Sequence, residues 1–346
     1  MKRIAAALAI SFFCAVAPAA AVELCAALDG SGSLSPAEFQ LQLEGLAGAV
    51  EDPSIIPRDG SATLSAVVFE WGASVAVPAT AIDGEASAAA FAAAVRAIPW
   101  RFGHRTDMVA AIQSCSGQFR DAADRWVIDI STDGRHSQTL GTDPLSARDD
   151  AVAAGLDVLN ALGVGAADLD FLGTLVWPQP AAAFPGDGFV VAVPDFSAYV
   201  NAMREKIRAE VAREVAIDVK PGSCPNPFNL DSRGALPVAV LGSADFDVSS
   251  VDPSTLRLEG VAPLRWAHED VTAPADGQKG SCSSCTTKGR DGYPDLVLHF
   301  DRAAFAAALG SAGDGACLLV TLSGNLTAAT GGGPIRGSDV LRVIRK

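Results

Sequence analysis

Apolar runs and amphipathic stretches alternate from Val22 to about Arg213. Val22–Leu28, Ala62–Glu70, Arg125–Ser131, Leu156–Gly163 and Gly188–Val193 are apolar runs of strand length. Between them Pro36–Val50, Glu85–Ile98, Thr106–Phe119, Pro144–Ala154 and Asp195–Arg213 space Ala, Leu and Val as a helix with one apolar face does. Ser35 precedes Pro36, with Glu38 three residues on, which predicts a capping box with proline in the first turn. Strands alternating with helices of this length predict an α/β fold with a doubly wound, mostly parallel sheet over residues 22–213. From about Glu214 the rhythm shortens. Val215–Val219, Leu236–Leu241, Leu256–Leu258, Asp295–Phe300, Leu318–Leu322 and Val340–Ile344 are separated by Pro, Gly, Asn and Asp, and only Arg302–Leu309 has helical spacing. This predicts a smaller β-sandwich-like domain over 214–346. The charged stretch Arg204–Glu214 leads into it almost without a linker, so the two domains are expected to be docked.

Charge and composition narrow the chemistry. The chain has 346 residues, long enough for two cores, and 49% of them are hydrophobic. Its 26 basic and 40 acidic residues give a net charge of -14, which repels a phosphate backbone and excludes nucleic acid as a partner. The same acidity suits hard divalent cations. Lys2 and Arg3 precede the apolar run Ile4–Val16, and Pro18-Ala19-Ala20-Ala21 follows with small residues, the pattern of a secretory signal over residues 1–21. That run is too short to span a bilayer, and no second one of eighteen apolar residues exists, so the mature chain is expected to be exported, periplasmic or extracellular, without a membrane span. Losing Lys2 and Arg3 moves the charge from -14 to -16. Of seven cysteines, Cys14 falls in the leader, leaving Cys25, Cys115, Cys224, Cys282, Cys285 and Cys317. An even number in an oxidising compartment predicts disulfides. Cys25–Cys115 is the pairing that keeps bonds within the two domains; the other four allow three connectivities. Cys282-Ser-Ser-Cys285 also has the spacing of half a zinc site or a redox pair.

Polar residues just after strands are the candidates for chemistry, because doubly wound sheets bind ligands beyond the carboxyl ends of their strands. Asp29-Gly30-Ser31-Gly32-Ser33 follows the first strand, Thr132-Asp133-Gly134 follows the Arg125–Ser131 strand, and Thr106 opens a helix between them. With strand order 3-2-1-4-5-6 these three loops converge. Alone, Asp-Gly-Ser-Gly-Ser is an ordinary turn. Together, over about Glu23 to Arg213, the residues resemble the von Willebrand factor type A (VWA) domain and its metal-ion-dependent adhesion site (MIDAS). The D-x-S-x-S motif is Asp29, Ser31 and Ser33, the separate threonine is Thr106, and the later aspartate is Asp133. Ser131-Thr132-Asp133-Gly134-Arg135 and the ending Phe189–Lys206 most resemble an exported bacterial subgroup of that family with no assigned function.

Three hydroxyls and two carboxylates can hold an octahedral ion and leave one position open, which Mg²⁺ tolerates because it retains waters. The resemblance implies Mg²⁺, with Mn²⁺ or Ca²⁺ as substitutes, and a protein ligand whose acidic residue completes the coordination, hence an adhesion module. Gly30 and Gly32 are expected to let the backbone turn tightly around the ion. His104, Arg135 and His136 flank the site and are expected to be surface polar residues, while Cys25 and Asp129 are expected to be structural. The second half resembles a module at the ends of exported bacterial and archaeal proteins, in Ile217–Ser223, Ser232–Gly242 and Asp291–Leu296. Many such modules carry a calcium loop; here Asp270, Asp291, Gly292 and Asp295 remain as a second candidate Ca²⁺ site, weakened by Lys288 and Arg290. No Gly-x-Ser-x-Gly, Gly-Lys-Ser/Thr or His-Glu-x-x-His motif is present, so no enzyme is expected. The alternatives are a metal-assisted hydrolase using the same ion and a purely structural envelope protein.

Overall fold

The computed structural model describes residues 21–101, 103–122, 124–181, 187–275 and 281–345. The leader expected over residues 1–21 lies outside them except for Ala21. In the first half the order is β1 (Val22–Asp29), α1 (Pro36–Glu51), β2 (Ala62–Glu70), β3 (Gly72–Ala81), α2 (Glu85–Arg96), α3 (Met108–Ser116), β4 (Arg125–Thr132), α4 (Pro144–Ala153), β5 (Val158–Val164), α5 (Leu169–Leu175), β6 (Val190–Val193) and α6 (Phe196–Glu210). The sheet runs β3-β2-β1-β4-β5-β6, with every pair parallel except β2–β3. This is the doubly wound α/β sheet that the sequence predicts.

Alternation along β1 fills both faces of the sheet. Leu24, Ala26 and Leu28 pack with Phe39, Leu43 and Leu46 of α1 and with Tyr199, Met203 and Ile207 of α6. Cys25 and Ala27 pack on the other face with Met108 and Ile112 of α3 and Leu172 of α5. The expected Cys25–Cys115 disulfide ties β1 to α3, with a Cα–Cα distance of 5.5 Å. Ser35 forms the expected capping box: its hydroxyl accepts from Glu38 N, and Glu38 reaches back to Ser35 N. α3 starts later than the periodicity predicts, because Asp107 caps it by accepting from Ala110 N, and Thr106 therefore stands outside the helix.

An ion cluster is sealed between α6 and the sheet. Lys206 Nζ lies 2.5 Å from both Asp129 Oδ1 and Glu210 Oε1, with no part of the three side chains exposed. Asn160 Nδ2 donates to Glu210 Oε1 at 3.0 Å, and Asn160 Oδ1 accepts from Gly188 N and Phe189 N. Asp129 is thus structural, as expected.

The second half continues with β7 (Arg213–Glu214), β8 (Ile217–Val219), β9 (Pro227–Asn229), β10 (Ala235–Val240), β11 (Val251–Leu258), β12 (Pro263–Glu269), β13 (Asp295–Asp301), α7 (Arg302–Leu309), β14 (Cys317–Leu326) and β15 (Pro334–Ile344). One sheet is β12-β13-β10-β8; the other is β11-β14-β15-β7, with β9 also on β15. Val238, Leu298 and Phe300 from the first share a core with Leu256, Val320 and Leu341 from the second, which makes a β-sandwich. The open connectivity is settled as Cys224–Cys285 and Cys282–Cys317. Cys282 and Cys285 thus belong to different bonds, which removes the zinc and redox readings of that pair.

The two halves are docked. Arg208 Nη1 donates to Ser54 O and to Asn325 Oδ1, both at 3.0 Å, and Asn325 Nδ2 donates to Ser54 O. Arg58 N donates to Gly331 O at 3.0 Å. Val22 and Arg125, which begin β1 and β4, line one cleft with Arg213, Gly333 and Pro334. The sandwich therefore abuts the amino ends of the parallel strands.

Candidate metal centre

β1 and β4 are adjacent and parallel, with Leu28 opposite Ser131, so the loops beginning at Asp29 and Asp133 leave the sheet side by side. Asp29 is fully buried. Its Oδ1 accepts from Ser31 N at 2.8 Å, its Oδ2 accepts from the Thr132 hydroxyl at 2.6 Å, and its carbonyl accepts from Gln42 Nε2 at 2.9 Å. Ser31 Oγ is 3.0 Å from Ser33 Oγ, and Ser33 Oγ donates to Asp133 Oδ1 at 2.7 Å. A bridge between Ser31 and Gly103 lays the segment before α3 beside this loop. Thr106 is fixed there: its N–H donates to Ser137 Oγ at 3.0 Å and its carbonyl accepts from Ser137 N. A Cβ added to Gly134 would stand 3.7 Å from Thr106 Oγ1, which puts that hydroxyl beside the Asp133 loop. Gly30 serves close approach, since a Cβ there would lie 2.8 Å from Val68 Cγ1.

All five residues expected at the site, Asp29, Ser31, Ser33, Thr106 and Asp133, thus lie on neighbouring loops at one edge. Burial pushes the Asp29 carboxyl up to about 6, against the hydrogen bonds from Thr132 and Ser31, and the Asp133 charge adds to the rise. Burial also raises Asp133, against the Ser33 hydrogen bond, with the Glu38 charge adding to it. Among the described residues no Lys, Arg or His forms an ion pair with either aspartate. Two carboxylates with three hydroxyls and no cation make an all-oxygen donor set, which fits a hard divalent ion that would supply the missing positive charge. Among the described residues no group of three or more His, Cys, Asp or Glu could hold a metal, so any such ion depends on the hydroxyls.

Two supporting residues were not assigned a role from sequence. Thr132 orients the Asp29 carboxylate while accepting from Gly134 N at 3.1 Å. Gln42 is buried among Phe39, Leu43 and Leu46, and a polar residue on the apolar face of α1 is the signal that marks it. Of the flanking residues, His104 and Arg135 are exposed, and Arg135 Nε lies 2.9 Å from Asp168 Oδ2. His136 departs from expectation. It is buried, accepts from Met108 N at Nδ1, and lies 3.2 Å from the Thr142 hydroxyl through Nε2, so its ring fastens the loop after β4 to the start of α3.

The acids of the second half are engaged by backbone. Asp270 accepts from Asp291 N and Gly292 N, Asp291 accepts from Tyr293 N, and Asp295 accepts from Gly242 N, Val271 N and Thr272 N. These carboxylates hold backbone amides of turns, and among the described residues no group of three or more His, Cys, Asp or Glu that could hold a metal is found there.

Several solved structures are similar at low identity. Proximal thread matrix protein 1 from the mussel byssus, in a form described as having a zinc-occupied MIDAS motif, is 14% identical with a TM-score of 0.46, covering 62% of this chain and 54% of that one. This chain spans about half the length of the mussel protein. The ArnB paralog VWA2 from Sulfolobus acidocaldarius is 12% identical with a TM-score of 0.41, covering 95% and 68%. A von Willebrand factor type A structure from Catenulispora acidiphila is 14% identical with a TM-score of 0.43, covering 95% and 67%. No curated protein matches the chain. The family described as "Protein of unknown function (DUF1194)" matches residues 19–215, more than half of the chain and all of its doubly wound sheet, and the protein belongs to that family.

Proposed function

We propose that this protein is an exported, divalent-metal-dependent protein-binding module of the adhesion type. Asp29, Ser31, Ser33, Thr106 and Asp133 would hold the ion, Mg²⁺ by preference over Mn²⁺ or Ca²⁺, and a carboxylate from a protein partner would complete its coordination. The observation that carries the reading is the Ser31–Ser33–Asp133 hydrogen-bonded chain beside Asp29, with both aspartates raised by burial and, among the described residues, no cation paired to either. When bound, the ion supplies positive charge and an open coordination position. The chain's own residues do the rest. Thr132 and the Ser31 amide orient Asp29, Ser33 orients Asp133, Ser137 fixes Thr106, and the short loops hold the hydroxyls without adding negative charge. We assign residues 1–21 to a secretory signal, 22–213 to the metal-binding domain and 214–346 to a β-rich module. Three disulfides fit an oxidising compartment. Among the described residues no helix is long and apolar enough to cross a membrane.

Calorimetric titration with Mg²⁺, Mn²⁺ and Ca²⁺ tests the reading. Saturable binding that is lost in Asp29→Ala and Asp133→Ala is expected; heat that is absent, or indifferent to both substitutions, overturns it.

A further inference from the structure

α6 carries two ionisable side chains into the core, Lys206 and Glu210, one helical turn apart and both fully buried. They meet Asp129 in the middle of β4, in register with Ala26 of β1 and Asn160 of β5. Lysine is almost never sealed from water, and a buried ion pair often stabilises a fold no better than well-packed apolar side chains of similar volume. Stability alone therefore gives no reason for this cluster.

The amine is held against the acid. Lys206 Nζ stands 2.5 Å from Asp129 Oδ1 and donates to Glu210 Oε1, also at 2.5 Å. Among the described residues no amide or hydroxyl donates to either oxygen of Asp129, so Lys206 and the Glu210 carboxyl are the groups that address it. Asn160 Nδ2 fixes Glu210 Oε1 at 3.0 Å, while Oε2 takes no such bond and is left for Asp129. The Phe189 ring lies 5.5 Å from Nζ. Burial raises the Asp129 carboxyl, against the charge and the hydrogen bond of Lys206, and raises Glu210 to about 7, with the Asp129 charge adding to it. In such a dry site an amine beside two protonated acids costs less than separated charges.

We propose that Lys206 and Asp129 condense to an intramolecular amide, with Glu210 as the proton relay. Nζ, having passed one proton to Asp129, attacks Cγ. Glu210 Oε1 takes a second proton from Nζ as Oε2 gives its own to the departing hydroxyl. One Cγ–N bond forms, one Cγ–O bond breaks, one water leaves, and Glu210 ends protonated as it began. No oxidant, cofactor or second substrate is needed. Reactants held in contact reach effective concentrations of about 10⁵ M or more, and the exclusion of water that seals the cluster also protects the amide from hydrolysis. The link joins the centre of the sheet to α6, the helix that leads into β7 and the sandwich. It lies on the face opposite the Cys25–Cys115 disulfide, so the two bonds brace the sheet from both sides. It forms whether or not the loops at the strand ends hold an ion. Glu210 is buried before and after the reaction, so the sign of its pH effect is the same in both forms.

The test is intact-mass spectrometry of the full chain, folded, then reduced and denatured. The unmodified chain should weigh one water less than its residues require, while Lys206→Arg, which keeps the charge but lacks the amine, should carry its full mass. Proteolytic digestion of the unmodified chain should yield a branched peptide joining the segment of Asp129 to that of Lys206, which separates this amide from loss of water elsewhere. Glu210→Gln should carry its full mass when freshly purified, since losing a positioned acid–base group slows such a step about a hundredfold or more. If Lys206→Arg does not fold, the branched peptide from the unmodified chain decides alone. A folded, unmodified chain of full mass, a missing branched peptide, or a Glu210→Gln chain linked as completely as the unmodified one overturns the proposal.

Discussion

Lys206 Nζ stands 2.5 Å from Asp129 Oδ1, with neither side chain exposed at all. A buried cation facing two carboxylates, Asp129 and Glu210, leaves one negative charge in excess unless a proton stays. Burial first, and then the Asp129 charge, pushes the Glu210 carboxyl up to about 7 from an ordinary 4.5. A carboxyl raised in the folded state contributes stability that is full below about 4.5 and is lost as pH rises through about 7. The thermal midpoint in EDTA should therefore fall between pH 5 and pH 8, and the fall should be shallower in Glu210→Gln. Asp29 acts in the same direction in both proteins, so the difference between them reports the buried Asp129–Glu210 pair that shares Lys206.

Removing the cation is more damaging than removing the acid. Lys206→Met leaves Asp129 buried without its counter-charge, and should cost about 3 kcal/mol or more in urea unfolding at neutral pH.

Thr132→Val keeps the shape of the side chain and deletes the hydroxyl that donates to Asp29 Oδ2. Hydrogen bonds to charged groups contribute about 1.5 kcal/mol or more, so Mg²⁺ affinity measured by calorimetry should fall about tenfold. An unchanged affinity would show that Asp29 does not need this partner to hold an ion.

The disulfide between Cys25 and Cys115 closes a loop with a sequence separation of 90. Replacing both cysteines by alanine should destabilise the chain by about 4 kcal/mol in denaturant titration, mainly by loosening the unfolded ensemble.

Arg208 joins Ser54 on one half of the molecule to Asn325 on the other. Arg208→Ala leaves the Asn325 amide as the remaining contact to Ser54 O at that spot. Limited proteolysis near residues 211–216 should become faster, with the two halves released as resistant fragments.

Much of this arrangement was legible from residue order. The buried strands of the first sheet announced themselves as continuous apolar runs, and Ser35-Pro36 with Glu38 marked the start of α1. β3 did not. Its run Gly-Ala-Ser-Val-Ala-Val-Pro-Ala-Thr-Ala is an edge strand that buries little, and Pro78 is tolerated because an edge needs fewer ladder hydrogen bonds. β12 was missed for the same reason, since most of its residues face solvent. α5 is seven residues long, too short for periodicity to declare it. At the candidate site the motif picked out five residues that the fold brings to neighbouring loops, but could not reveal Thr132 as the holder of Asp29, nor the burial of His136. Both depend on how the loop after β4 folds against α3, which local pattern does not encode.

The docking at the amino ends of the strands gives the molecule a polarity. β1 leaves the junction and runs eight residues to Asp29, about 26 Å. β15 leaves the same junction, beside Arg213, and runs eleven residues to Ile344, about 36 Å. A label attached at Ile344 would thereby sit away from the Asp29 and Asp133 loops by the depth of the sandwich and of the sheet together, so it would report on the far end of the molecule without crowding the candidate site.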